Sequence, residues 1–280
     1  PQTIMAKNPN KVDDLGVDFV EVGHGIGQGA SSLLIGQSLL SDVEMLTIAR
    51  EQLKNTKLSI HIVPGYGTKR DLKDAIDCGV DTVRVATHCS EADTAENHIT
   101  FLKNEGVEVF SGLMMSHMLS PEDLLSQAKK MESYGSQAIT ILDSAGKFIP
   151  REIKQLIDLF TSSLKVSVGF HAHNNLGLSI ANSCAAVEGG AGLLDASIIG
   201  FGAGAGNAPL ELLISAFDSY GIEHRCDLYR LLDLADDAEN LFGYRPYISS
   251  DSIVSGLTGV ASVFSKPVKI LILHKVLILI

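Results

Sequence analysis

Several things are scarce in this chain, and each scarcity excludes something. Its four cysteines, Cys78, Cys89, Cys184 and Cys226, lie far apart and form no CxxC pair. That argues against a disulfide framework or a thiolate metal site and points to a reducing, cytoplasmic setting, with the thiols as buried filler rather than nucleophiles. Basic residues are few, 22 Lys and Arg against 33 Asp and Glu, for a net charge of −11. The imbalance argues against nucleic acid or an anionic membrane as partner, though it leaves small anionic substrates open. The start, "PQTIMAKNPN", is polar and has no signal-peptide pattern. No apolar run reaches the ~20 residues of a membrane helix. The closing "KILILHKVLILI" is shorter, and reads as a buried terminal strand or an aggregation-prone segment.

What is present fits one large soluble domain: 280 residues, 45% hydrophobic and 20% charged. Short β-rich runs recur as "DFVEV" from Asp18, "LSIHIVP" from Leu58, "DTVRVAT" from Asp81, "VEVFSGL" from Val107, "QAITILD" from Gln137, "VSVGFHAH" from Val166 and "LLDASIIG" from Leu193. Most are near-continuous apolar runs, as in strands buried on both faces of a parallel sheet. Helical stretches separate them. In "SPEDLLSQAKKMESYG", Ser120 is the N-cap, Pro121 the first helical residue and Gly135 the stop. After the first interval the strand starts fall 23 to 30 residues apart, the length of one βα unit.

Seven such units predict a (β/α)₈ TIM barrel over residues 1–225 with one strand unaccounted for. The missing strand is expected upstream of Pro1, which would leave the strands from Asp18 and Leu193 with unpaired edges. An open doubly wound sheet is the alternative, disfavoured because no GxGxxG follows the first strand. From Cys226 the rhythm stops. "DLYRLLDLADDAENLF" is an amphipathic helix that opens a small helical appendage over residues 226–280.

In such a barrel, chemistry gathers at the C-terminal ends of the strands. Polar or glycine-rich clusters fall there: "GHGIGQG", "ATHCSEAD", "MMSHM", "LDSAG", "HAHNN" and "GFGAGAGNAP". In "VGFHAHNNLG", His171 and His173 are two positions apart, so on a strand both face one side and can share an ion. The alternative is a pair of polar residues at a strand end. Two histidines with oxygen ligands suit Mn²⁺, Mg²⁺, Co²⁺ or Zn²⁺. Asn174 and Asn175 follow directly. "GAGAGN" ends in Asn207 before a helix starting near Pro209. It is either a ligand-approach loop facing a helix N-terminus that would take a carboxylate, or a tightly packed turn. Asp143 and Ser144 would hold a histidine and a substrate oxygen, unless Asp143 caps its own loop. His24, His88 and His117 also sit near strand ends, where a structural role is the simpler reading.

Together, "EVGHGIGQGASS", "VRVATHCSEAD", "GLMMSHM", "KKMESYG", "DSAG", "HAHNNLGL" and "GAGAGNAPLE" resemble the 4-hydroxy-2-oxovalerate aldolases, a branch of the metal-dependent family that includes 3-hydroxy-3-methylglutaryl-CoA lyase and 2-isopropylmalate synthase. The resemblance runs from about Gly16 to Asp237, and more loosely to about Phe264. It implies a barrel with a divalent metal, commonly Mn²⁺, that cleaves 4-hydroxy-2-oxovalerate to pyruvate and acetaldehyde. By motif match it implies His171 and His173 as metal ligands, with His171 also near substrate and Ser144 in contact with it. It also implies Asn207 as a ligand or a supporting residue, with Asp143 and Asn175 as further candidates of that kind.

The family's first strand carries a threonine–leucine–arginine–aspartate–glycine signature, with a third ligand, an enolate-stabilising arginine and, shortly after, a histidine base. No match to it lies in this sequence, so the catalytic residues are expected upstream of Pro1 and activity of these residues alone is expected to be impaired. A substrate-contacting tyrosine of the family aligns with "SGLTGV", at Leu257 or Thr258. The resemblance further implies an acylating acetaldehyde dehydrogenase as partner through the C-terminal appendage. A related acyl-CoA lyase or synthase, disfavoured by "MMSHM", and a non-catalytic barrel fragment are the competing readings.

Overall fold

The computed structural model describes residues 12–33 and 35–261. Seven strands form one sheet in chain order: β1 (Phe19–Glu21), β2 (Lys57–Ile62), β3 (Thr82–His88), β4 (Glu108–Met114), β5 (Ala138–Asp143), β6 (Ser167–Ala172) and β7 (Leu193–Asp195). Every neighbouring pair is parallel. Helices fill the connections: α1 (Asp42–Gln52), α2 (Lys69–Asp77), α3 (Glu96–Asn104), α4 (Pro121–Tyr134), α5 (Pro150–Ser163) and α6 (Ser179–Glu188). After β7 come α7 (Leu210–Tyr220), α8 (Leu228–Phe242) and α9 (Ser250–Thr258). The closing apolar run falls outside the described residues.

Strand periodicity sorts the residues into two faces. Leu58, Ile60 and Ile62 of β2 and Val83 and Val85 of β3 pack with Leu46, Leu72 and Ile99 of the surrounding helices, all fully buried or nearly so. The alternate positions point inward. There Phe19 of β1 meets Phe110 of β4 edge to face, ring centroids 5.3 Å apart. Arg84 of β3 reaches Asp195 of β7. In a flat sheet, strands four places apart would be separated by about 19 Å, so this contact requires a sheet curled into most of a barrel.

Local sequence explains the joints. Ser120 caps α4 by accepting the Asp123 N–H, Pro121 opens the helix, and Gly135 ends it in the left-handed region. Asp13 accepts the backbone N–H groups of Asn55 and Thr56, tying the start of the described chain to the turn before β2. Among the described residues, no strand pairs with the free edge of β1 or of β7. A cleft of about 1130 Å³ opens between them. Its flanks are Asp18–Val22 and Leu193–Ser197, and its inner wall includes Arg84, Phe110 and His171.

Candidate active site

The HAHNN segment and the AGN loop lie side by side. His173, just past the end of β6, makes an antiparallel bridge with Asn207. The Asn174 N–H donates to the Gly206 carbonyl, and the Ala208 N–H to that of Ala172. Gly206 is essential to this approach: its φ is +88°, and a Cβ there would collide with the Gly200 carbonyl. The rings of His171 and His173 are 5.2 Å apart between centroids. Asn207 donates its amide N–H to the Phe201 carbonyl at 3.2 Å.

Two polar atoms at this junction are left over. His173 Nδ1 and Asn207 Oδ1 are both buried and neither has a hydrogen-bond partner. Burial, reinforced by His171 nearby, pushes the His173 imidazole down to about 3, so the ring is neutral and keeps a lone pair. Buried unpartnered polar atoms are uncommon and costly. A neutral imidazole nitrogen and an amide oxygen are donors a divalent cation accepts. His171, Asn207 and His173 therefore fit a metal. Among the described residues, no group of three His, Cys, Asp or Glu side chains has metal-binding geometry, so no carboxylate joins them.

His171 is held by Asp195 and not by Asp143, the residue expected from the sequence to hold a histidine. Its Nδ1 lies 3.0 Å from Asp195 Oδ2, on the strand position paired with it in register. Asp195 is gripped by the Arg84 fork, Nη1 on Oδ2 and Nη2 on Oδ1, the latter at 2.8 Å. Arg84 Nε is also 3.5 Å from Glu21 of β1. Burial alone would raise the Asp195 carboxyl, but Arg84 beside it and the His171 bond hold it far below the usual carboxylate range. For Arg84, burial opposes the charge, and Asp195 and Glu21 overcome it, keeping the guanidinium firmly protonated. Burial also pushes His61, on the neighbouring strand, below its ordinary value.

Asp143 does not hold a histidine. Its carboxylate accepts the Lys147 N–H at 2.8 Å and the Phe148 N–H at 3.3 Å, bracing its own loop. Burial raises it to about 6 despite those two bonds. Ser144 Oγ accepts the Met115 N–H at 3.0 Å, where Met115 adopts a left-handed conformation with φ 57°. The Asn175 amide donates to the Ser252 carbonyl of α9, joining the loop after β6 to the C-terminal helices. Glu211, buried in the first turn of α7, accepts the Ile199 N–H, so an acidic side chain already occupies the helix end proposed for a substrate carboxylate.

His24 Nδ1 accepts the Ile26 N–H, His88 pairs with Ser90, and His117 meets the Gly259 carbonyl, all local structural contacts. All four cysteines are free. Burial raises the thiols of Cys89, Cys184 and Cys226, which disfavours nucleophilic roles for those three.

Residues 6–238 match the HMGL-like family. The chain belongs to that family. It is 54% identical to the 4-hydroxy-2-oxovalerate aldolase of Pectobacterium atrosepticum, over 90% of this chain and 74% of the relative. Against the enzyme of the same name from Spirochaeta aurantia the identity is 52%, with the same coverage. By homology, then, this HMGL-like chain is a carbon–carbon lyase of the 4-hydroxy-2-oxovalerate aldolase type, in a group of metal-dependent aldolases acting on 2-oxo acids. Solved structures agree on the barrel. The N-terminal domain of a Bacteroides vulgatus protein superposes with a TM-score of 0.81 at 25% identity, covering 95% of this chain and 89% of that one. The HMG-CoA lyase of Brucella melitensis gives 0.70 at 16% identity, covering 87% and 92%, a likeness of fold alone. Among the described residues, no helix is long and apolar enough to cross a membrane.

Proposed function

We propose that this HMGL-like protein cleaves 4-hydroxy-2-oxovalerate to pyruvate and acetaldehyde, with His171, His173 and Asn207 holding a divalent cation, Mn²⁺ in preference to Mg²⁺ or Co²⁺. The observation that carries the reading is the pair of buried polar atoms left without partners, His173 Nδ1 and Asn207 Oδ1, beside the ring of His171. A bound cation would supply Lewis acidity toward the 2-oxo group. Ser144, oriented by the Met115 N–H, contacts the substrate. Asn175 supports the site indirectly, by fixing the loop after β6 against α9.

Residues 1–225 form the catalytic unit and the helices from residue 226 a partner-facing region. The latter reading rests on exposed apolar side chains on α8 and α9, Tyr229 at 80% and Leu257 at 64% exposure. An acylating acetaldehyde dehydrogenase, which would consume the aldehyde, is the partner proposed for that face.

The test is pyruvate release from 4-hydroxy-2-oxovalerate with added Mn²⁺, alongside metal content by plasma emission. Chelation is expected to stop turnover, and His173→Ala and Asn207→Ala to lower retained metal. Unchanged metal content in both variants would sink the assignment.

A further inference from the structure

Beyond the metal-binding pair lies a chain of contacts that spans the barrel interior: Glu21 on β1, Arg84 on β3, Asp195 on β7 and His171 on β6. Its chemistry is directional. A guanidinium offers only donors, and here two of its nitrogens grip both oxygens of Asp195. Asp195 is thereby fixed in rotation and kept as an acceptor. An ionised carboxylate oxygen 3.0 Å from His171 Nδ1 can only accept, so Nδ1 must carry a proton, and whenever the ring is neutral the lone pair is on Nε2. His171 lines the cleft together with Asn207.

We propose that Asp195 is the positioning residue of the site, setting the tautomer and orientation of His171, and that Arg84 acts through Asp195 rather than on substrate. The proposal rests on reading His171 as a metal ligand. It assigns a function to an arginine that would otherwise be an expensive buried charge in an apolar barrel. It also explains why Asp195 occupies the strand position registered with His171, while Asp143, on the other side of β6, braces a loop.

The experiment uses the whole chain. Long-range ¹H–¹⁵N correlation at alkaline pH, where imidazoles are neutral, reads the tautomer directly, with His171→Gln assigning the signal. The parent is expected to show the Nδ1–H form. Removing one partner of a buried ion pair threatens folding, so the informative variant replaces both with apolar residues, Arg84→Met with Asp195→Leu. This double variant is expected to melt near the parent, to lose the Nδ1–H signature, and to bind Co²⁺ about 10–100-fold more weakly. If it does not fold, Asp195→Asn serves in its place, since a carboxamide presents a donor as well as an acceptor and mixes the tautomers.

An Nε2–H form in the parent would overturn the proposal. So would an Nδ1–H form that survives in the variant, or a Co²⁺ affinity within about threefold of the parent despite a changed tautomer. If the parent binds no Co²⁺, or binds it equally after His173→Ala, the metal reading fails while the tautomer measurement still decides the role of Asp195.

Discussion

Strand β5 is buried at every position from Ala138 to Asp143, whereas the three residues of β1 and the three of β7 are all partly or fully exposed. The apolar runs alone do not show this contrast, since "FVEV" and "LLDASII" are nearly as apolar as "AITIL"; it is the count of seven βα units that leaves the strands from Asp18 and Leu193 with open edges. The difference lies in neighbours. β5 is flanked by β4 and β6, and each terminal strand has one partner among the described residues. The candidate site sits where the two regimes meet. His171 belongs to the well-packed β6, but the carboxylate that orients it belongs to β7 at the rim of the cleft.

Substitutions can sharpen the contrast. Phe170 on β6 is fully buried and registered against Leu194 on β7, which is only partly buried. Phe170→Ala should cost about 3–5 kcal/mol in urea unfolding. Leu194→Ala should cost roughly 1–2 kcal/mol, since part of that side chain is already wet. Equal losses would mean that the two regions are equally packed in solution.

The cleft can be tested by filling it. Residues 1–280 by themselves should release pyruvate about 10²–10³-fold more slowly than the same residues joined to a relative's first-strand segment, which would add a carboxylate and an arginine. Equal turnover would show that residues already described, His24 or His88 among them, supply what the added segment was expected to bring.

A third test concerns acid. In the metal-free protein the His173 imidazole is held down to about 3, below its ordinary 6.5. The unfolded chain therefore takes up this proton first as pH falls. The stabilisation is complete above about 6.5 and is lost toward about 3, with a slope of at most about 1.4 kcal/mol per pH unit. Asp143, raised to about 6, works the opposite way between 3.8 and that value. The quantity to compare is thus the difference between parent and His173→Gln melts across this range. A difference independent of pH would mean that the ring is wet. The smallest effect should be self-association: with no described strand on the free edges of β1 and β7, the average molecular mass from light scattering should rise with concentration.

Much of the architecture could be read from residue order alone. All seven strands fall where the apolar runs placed them, and the Ser120–Pro121 start and Gly135 stop of α4 are as the cap chemistry required. That His171 and His173 stand together beside Asn207 was legible because spacing and glycines mark them. Asp195 and Arg84 were not, because their meaning depends on a contact between residues 111 positions apart. One signal was available. Arg84 is the lone charge inside "TVRVAT", at a position facing the barrel interior, and a charge placed there needs an opposite charge across the lumen. For Asp143 the sequence left two roles open, support of a histidine or a cap on its own loop, and the loop backbone is what its carboxylate meets.

The Arg84–Asp195 contact also bears on how the chain reaches its folded state. Neighbouring βα units can pair as they form, since each closes a short loop, but this bond waits until the third and seventh strands have come together. Contacts of such high sequence separation are slow to form. His171 can meet Asp195 once the neighbouring sixth and seventh strands pair, but the Arg84 grip that fixes Asp195, and with it the imidazole, is completed late. A refolding chain would recover most of its circular dichroism before it recovers a defined imidazole, and competence at the site would report closure of the ring rather than growth of its parts.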